Sequence, residues 1–165
     1  MLVLDSNIWI LALVEASDEH VAVRNQVLNG EDQTVVDAYI YEEVLDGIRR
    51  SESVSGADTQ AAIKDFVNLV RTSEYIDGPS HTAVQSLELP EERAQRENIT
   101  LGRVLGIQPK DVPIVTLAHA CADRETRRGS ATPVTIITSD RTFAELNPTA
   151  HRLPLSMRYI PYTEA

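Results

Sequence analysis

Apolar residues follow two rhythms along this chain. Leu2-Val3-Leu4 is a short unbroken apolar run that stops at Asp5-Ser6-Asn7, the pattern of a buried strand feeding a turn. From Ile8 to Val14 the apolar density fits the start of a helix. Ser17-Asp18-Glu19 then offers a cap and an acidic first turn for a helix carrying Val21, Val23, Val27 and Leu28, which Asn29-Gly30 ends. Thr34-Val35-Val36 predicts a second strand. Ala38 to Arg50 predicts a helix with Ile40, Val44 and Ile48 on one stripe, and a further helix covers about Asp58 to Arg71.

The second half continues the alternation. Glu74 to Asp77 predicts a short strand closed by Gly78-Pro79, and one helix is expected from Pro90-Glu91-Glu92 to Gly106. Asp111-Val112-Pro113 opens a strongly apolar helix through Ile114, Val115, Leu117, Ala118, Cys121 and Ala122; proline is tolerated in a first turn, where the N–H groups have no partner within the helix. Pro133 to Thr138 is the clearest strand, apolar enough to be covered on both faces. A short helix around Phe143 to Leu146 and a last strand at Ser156 to Ile160 complete the pattern. Strands alternating with helices predict an α/β fold with a parallel sheet.

At 165 residues with 42% hydrophobic side chains, the chain has the size and core content of one domain, 1–165. Cys121 is the only cysteine, which excludes a disulfide framework or a multi-cysteine zinc site. No apolar run approaches the ~20 residues that span a bilayer. Asp5 follows Leu4 with no basic n-region, so a cytoplasmic protein with no membrane role is expected. With 15 Lys and Arg against 25 Asp and Glu, the net charge of −10 disfavours an ordinary groove reader, whose affinity comes from neutralising phosphates. It leaves open an enzyme that approaches phosphate through bound divalent cations.

Acids at strand ends carry the candidate chemistry. Ligands of open α/β sheets bind beyond the carboxyl ends of the strands. Asp5 follows the first strand and Asp140 the strand ending at Thr138; if the two strands are neighbours, both carboxylates meet at one edge. Asp111 opens a buried helix, and Glu42-Glu43 lie inside an amphipathic one. Such a cluster stays ionised only with a counter-charge. A hard cation with oxygen ligands, Mg²⁺ or Mn²⁺, supplies it and activates water toward phosphorus. Each of Asp5, Asp111 and Asp140 also precedes a predicted helix, where Asp is a favoured cap worth ~1 kcal/mol, so cap and ligand are alternative roles for each.

These blocks resemble the PIN domain family. The strand into Asp5-Ser6-Asn7, the acid before an apolar pair in Glu43-Val44-Leu45, the helix opened by Asp111 through Ala118, and Thr138-Ser139-Asp140-Arg141-Thr142-Phe143 are similar to its four motifs, in order. The resemblance implies a Rossmann-like α/β/α sandwich with a central, mostly parallel sheet. It also implies a Mg²⁺- or Mn²⁺-dependent endoribonuclease acting on RNA, often the toxin of a VapBC toxin–antitoxin pair and a frequent homodimer. Asp5, Glu43, Asp111 and Asp140 would be catalytic and hold the metal, with Asn7 and Ser139 touching substrate or orienting a carboxylate. The choice of Glu43 over Glu42 rests on that family pattern alone. Thr142 stands where many relatives carry another Asp, and the helical stretch 71–110 is longer than a minimal member needs.

Other readings compete. A catalytically degenerate domain that only binds RNA or a protein is one. A phosphatase of the haloacid-dehalogenase type is another, although Asn7 occupies the place of its second acid and Lys110 is its only candidate lysine. Turn or cap duty is expected for Asn7 and Ser139 if they do not serve the site, and Thr138 is read as the last residue of its strand, with a polar side chain near the site as the lesser alternative. His119 is expected in the core or at its boundary, Cys121 and Trp9 in the core. Arg49-Arg50 and Arg124-Arg127-Arg128 either steer RNA or complement helix dipoles.

Overall fold

The computed structural model describes residues 1–51, 56–130 and 132–162, apart from the side chain of residue 57. In chain order it runs β1 (Leu2–Leu4), α1 (Ser6–Leu13), α2 (Asp18–Leu28), β2 (Thr34–Val35), α3 (Ala38–Arg50), α4 (Gly56–Thr72), β3 (Ile76–Asp77), α5 (His81–Ser86), α6 (Leu89–Arg93) and α7 (Arg96–Leu105). A 3₁₀ turn at Pro109–Asp111 leads into α8 (Val112–Arg127), β4 (Val134–Thr138) and α9 (Arg141–Ala144), and another at Thr149–His151 precedes β5 (Leu155–Tyr159). No helix among the described residues is long and apolar enough to cross a membrane. The strand pairs β1–β4, β4–β5 and β2–β3 are all parallel, so the α/β class with a parallel sheet is what the chain adopts.

Backbone contacts divide the chain into two compact units: Met1–Asp5 with Glu88–Ala165, and Ser6–Leu87. The expected helical stretch 71–110 holds α5, α6 and α7, and the division falls inside it.

In the first unit β4 lies between β1 and β5. Leu2, Val3 and Leu4 stand opposite Thr135, Ile136 and Ile137, and Val134 through Thr138 pair with Leu155 through Tyr159. Helix α8 packs on all three strands, and α9 packs on β4 and β5. Val134, Ile136, Ile137 and Thr138 are buried, as the unbroken apolar run of β4 predicts. Burying an aliphatic side chain of this size is worth about 1.5–3 kcal/mol, so this strand anchors the unit.

The expected single helix from Pro90 to Gly106 is two helices, α6 and α7. In a continuous helix the carbonyl of Glu92 would take the N–H of Arg96; instead it accepts from the side-chain amide of buried Asn98 at 2.7 Å. That side chain competes with the backbone and breaks the helix. Helix α7 ends on Gly106 with φ +71°, a conformation glycine reaches without cost. Helix α9 starts two residues before the predicted Phe143, because Asp140 caps it, and β5 starts one residue before Ser156.

In the second unit β2 and β3 pair in parallel, Thr34 opposite Ile76. Ser17 caps α2 by accepting from the His20 N–H at 3.3 Å, and Asp37 caps α3 by accepting from Ile40 at 2.9 Å. Trp9 is fully buried and meets Phe66 edge-on, ring centroids 5.6 Å apart, while Tyr41 lies against the same ring. Trp9 therefore packs in the core, as expected.

Candidate functional site

Strand β1 delivers Asp5 directly to the N-terminus of α1, leaving one residue between strand and helix. Its backbone N–H continues the ladder by donating to the Ile137 carbonyl at 2.9 Å. Because β1 and β4 are neighbours, the residues after each strand come together at one edge. Asp5 is buried at 4% exposure, so its carboxylate needs compensation. Part of that comes from Thr138, whose hydroxyl donates to Asp5 Oδ2 at 2.7 Å. The same hydroxyl accepts from the Asp140 backbone N–H at 3.0 Å. One buried oxygen atom thus ties the end of β1 to the turn after β4.

Thr138 ends its strand, as expected, and also takes the lesser of its two expected roles: its side chain lies at the site and holds the first carboxylate. A threonine at the last position of a buried strand, directly after Ile136-Ile137, is the signal: an unpartnered hydroxyl there would be costly.

Asp140 does cap a helix. Its Oδ1 accepts from the N–H groups of Thr142 at 2.9 Å and Phe143 at 3.2 Å. Both bonds fall on one oxygen, and among the described residues Oδ2 takes none. Cap and ligand are therefore compatible roles for Asp140, served by different oxygens.

Asp111 closes the 3₁₀ turn and immediately precedes α8 without a side-chain cap bond. The buried face of α8 carries Ile114, Val115, Ala118, Cys121 and Ala122, and Asp111 continues that stripe one turn earlier. This period takes Asp111 inside, at 6% exposure. Position in the stripe, rather than cap duty, places it.

Glu43 belongs to the other unit, half-buried on α3, and Asn7 is half-buried on α1. Ser139 is half-buried between Thr138 and Asp140. By donor chemistry Asp5 and Asp111 suit a hard divalent cation, since buried carboxylates are the oxygen ligands Mg²⁺ and Mn²⁺ take. In placement, among the described residues no three His, Cys, Asp or Glu side chains gather as a group that could hold a metal.

Of the remaining candidates, Cys121 is buried in the core. His119 is exposed on α8, not in the core or at its boundary: it falls off the stripe formed by Ile114, Val115, Ala118 and Ala122. His20 is the buried histidine, its Nδ1 2.5 Å from Ser17 Oγ, and burial lowers its pKa against the opposing pull of Glu19. Arg50 pairs with Asp46 at 2.7 Å and Arg127 with Asp123 at 3.0 Å, each on its own helix. Both ion pairs have the helix-end placement that the dipole reading of these arginines describes.

No protein family matches the chain, and no curated protein matches it. Among solved structures, the crystal structure of VapBC2 from Rickettsia felis bound to a DNA fragment from their promoter aligns over 96% of this chain and 98% of that chain, with a TM-score of 0.54 and 14% identity. The two share a fold. The crystal structure of FitAcB from Neisseria gonorrhoeae aligns over 96% of both chains with 15% identity and a TM-score of 0.48.

Proposed function

We propose that the chain is a divalent-metal-dependent endoribonuclease of the PIN type, the toxin component of a toxin–antitoxin pair. The observation that carries this reading is the join of Asp5, Thr138 and Asp140: two acids from distant parts of the sequence share one buried hydroxyl at the carboxyl ends of adjacent parallel strands. The fold in common with a chain of a VapBC2 complex supports it. Asp5, Asp111 and Asp140 would hold Mg²⁺ or Mn²⁺, which when bound supplies positive charge toward phosphate and a water of lowered pKa.

The chain's own residues have separable tasks in this reading. Asp5 and Asp111 place buried negative charge that disfavours a dry, cation-free site. Thr138 fixes the Asp5 side chain through one oxygen, and Asp140 presents Oδ2 while Oδ1 keeps α9 in place. Attack by water on phosphorus would leave 5′-phosphate and 3′-hydroxyl ends on the RNA. The test is cleavage of a mixed RNA pool with Mn²⁺ by the intact protein, Asp5→Asn and Asp111→Asn. Loss of cleavage in both variants with folding retained is expected; cleavage at the parental rate by Asp5→Asn overturns the assignment.

One observation favours a second reading, a degenerate domain that binds RNA or a protein without cutting. No three-donor group is gathered among the described residues, and Thr142 offers no further acid. This reading expects no thermal stabilisation by Mn²⁺, with binding retained in Asp111→Asn.

A further inference from the structure

The second unit holds a hollow of about 540 Å³ framed by α3, α4, the end of β3 and α5. Its volume lies in the range of small-molecule sites, roughly 300–1,000 Å³. Val67, Val70, Ile76 and Val84 form its apolar lining. Each polar side chain on it can donate a hydrogen bond: the Arg71 guanidinium, the His81 imidazole, and the hydroxyls of Ser73 and Tyr41. No acidic side chain lines the hollow, in a chain with 25 acids.

Arg71 is exposed in the last turn of α4 and makes no ion pair among the described residues, although exposed arginines on α3 and α8 do. His81 and the Tyr41 hydroxyl likewise have no hydrogen-bond partner among the described residues. Tyr41 keeps its proton, because burial and the neighbouring Glu42 raise its pKa more than Arg49 lowers it, so it remains a donor. An unpaired guanidinium over an apolar hollow with no acid in its lining suits a negative group with an apolar body.

We propose that this hollow binds a small organic anion: one acidic head group on Arg71, with Tyr41 and His81 as further donors, and a flat apolar body against Val67, Val70 and Val84. The head group is a carboxylate or a phosphate ester, either of which a guanidinium accepts. The site stands independently of the proposed nuclease chemistry, because every lining residue lies within Ser6–Leu87.

Three probes with one body separate the possibilities: 2-naphthoate, 2-naphthyl phosphate and the uncharged 2-naphthylmethanol, titrated into the full chain and followed by backbone amide shifts. At least one anion is expected to bind about tenfold more tightly than the alcohol, the worth of a charge-assisted hydrogen bond. The shifts should centre on residues 67–73 and 76–84, and the tighter anion identifies the head group. Arg71→Gln should bring the anions down to the alcohol and leave the alcohol unchanged; Val84→Trp, which fills the hollow, should weaken all three. Equal binding of anions and alcohol, anion binding insensitive to Arg71→Gln, shifts centred elsewhere, or no saturable binding of any probe overturns the proposal.

Discussion

Thr138 Oγ1 bonds both the Asp5 carboxylate and the Asp140 backbone N–H. Thr138→Val keeps the branched shape, removes the donor to buried Asp5 Oδ2 and removes the acceptor for the half-buried Asp140 N–H. Stranding such groups costs about 1–3 kcal/mol, so urea denaturation should show Thr138→Val destabilised by that amount and Thr138→Ser by less. His20 gives a second check. Its native pKa lies below the ordinary 6.5, so the unfolded chain takes up the proton first as pH falls. The contribution is complete above the unfolded value, drains away as pH drops toward the native one, and then levels off. Between about pH 7.5 and about pH 5.5 the parent should lose more stability than His20→Gln, measured by urea midpoints. At this scale Asp5 and Asp140 were legible, because an acid at or just past the end of an apolar run marks a strand end. The Thr138 hydroxyl was legible only as a polar group at the end of a buried strand, since its partner Asp5 lies 133 residues away along the chain.

Between Leu105 and Val112 the elements decide where Asp111 stands. Gly102 on α7 is buried, and a Cβ there would lie 2.9 Å from the Ile107 carbonyl oxygen, a backbone atom that cannot swing aside. Alanine gains about 1 kcal/mol over glycine by helix propensity. Overpacking against fixed backbone costs about 1–3 kcal/mol, so the clash wins. Gly102→Ala should lower Tm and shift the amide resonances of residues 107–111, which lead into α8; an unchanged Tm would contradict this packing. Element types were readable wherever one period dominated: β1 and α3 fall on their predicted residues, and β4 starts one residue after the predicted Pro133. Reading failed where a side chain overrode the period. Asn98 divides α6 from α7, and Asp140 draws the start of α9 forward, because each hydrogen-bonds backbone groups that periodicity cannot register. The buried place of Asp111 was legible for the opposite reason, as it obeys the stripe of α8.

Across the whole molecule the charge of −10 opposes the substrate proposed for it. RNA affinity should therefore be weak in EDTA and rise with millimolar Mn²⁺, and Asp111→Asn should abolish that rise while leaving the metal-free affinity unchanged or slightly improved; filter binding at fixed ionic strength measures both. Metal-independent RNA binding of equal strength would favour the non-catalytic reading. The parallel α/β class was written in the alternation of runs and stripes. The division into two units was not, because it depends on which distant segments touch.

That division has a consequence for synthesis. Leu2-Val3-Leu4 leave the ribosome well before the rest of their unit: their partners Thr135, Ile136 and Ile137 are made more than 130 residues later. At about 5–20 residues per second, that is an interval on the order of ten seconds. Until α8 and β4 emerge, the apolar tripeptide has no packing partner from its own unit, while Ser6–Leu87 emerges as one uninterrupted stretch. The Asp5–Thr138 contact is thus among the last to close on a growing chain, so no ribosome-bound fragment stopping short of residue 138 can carry the assembled edge.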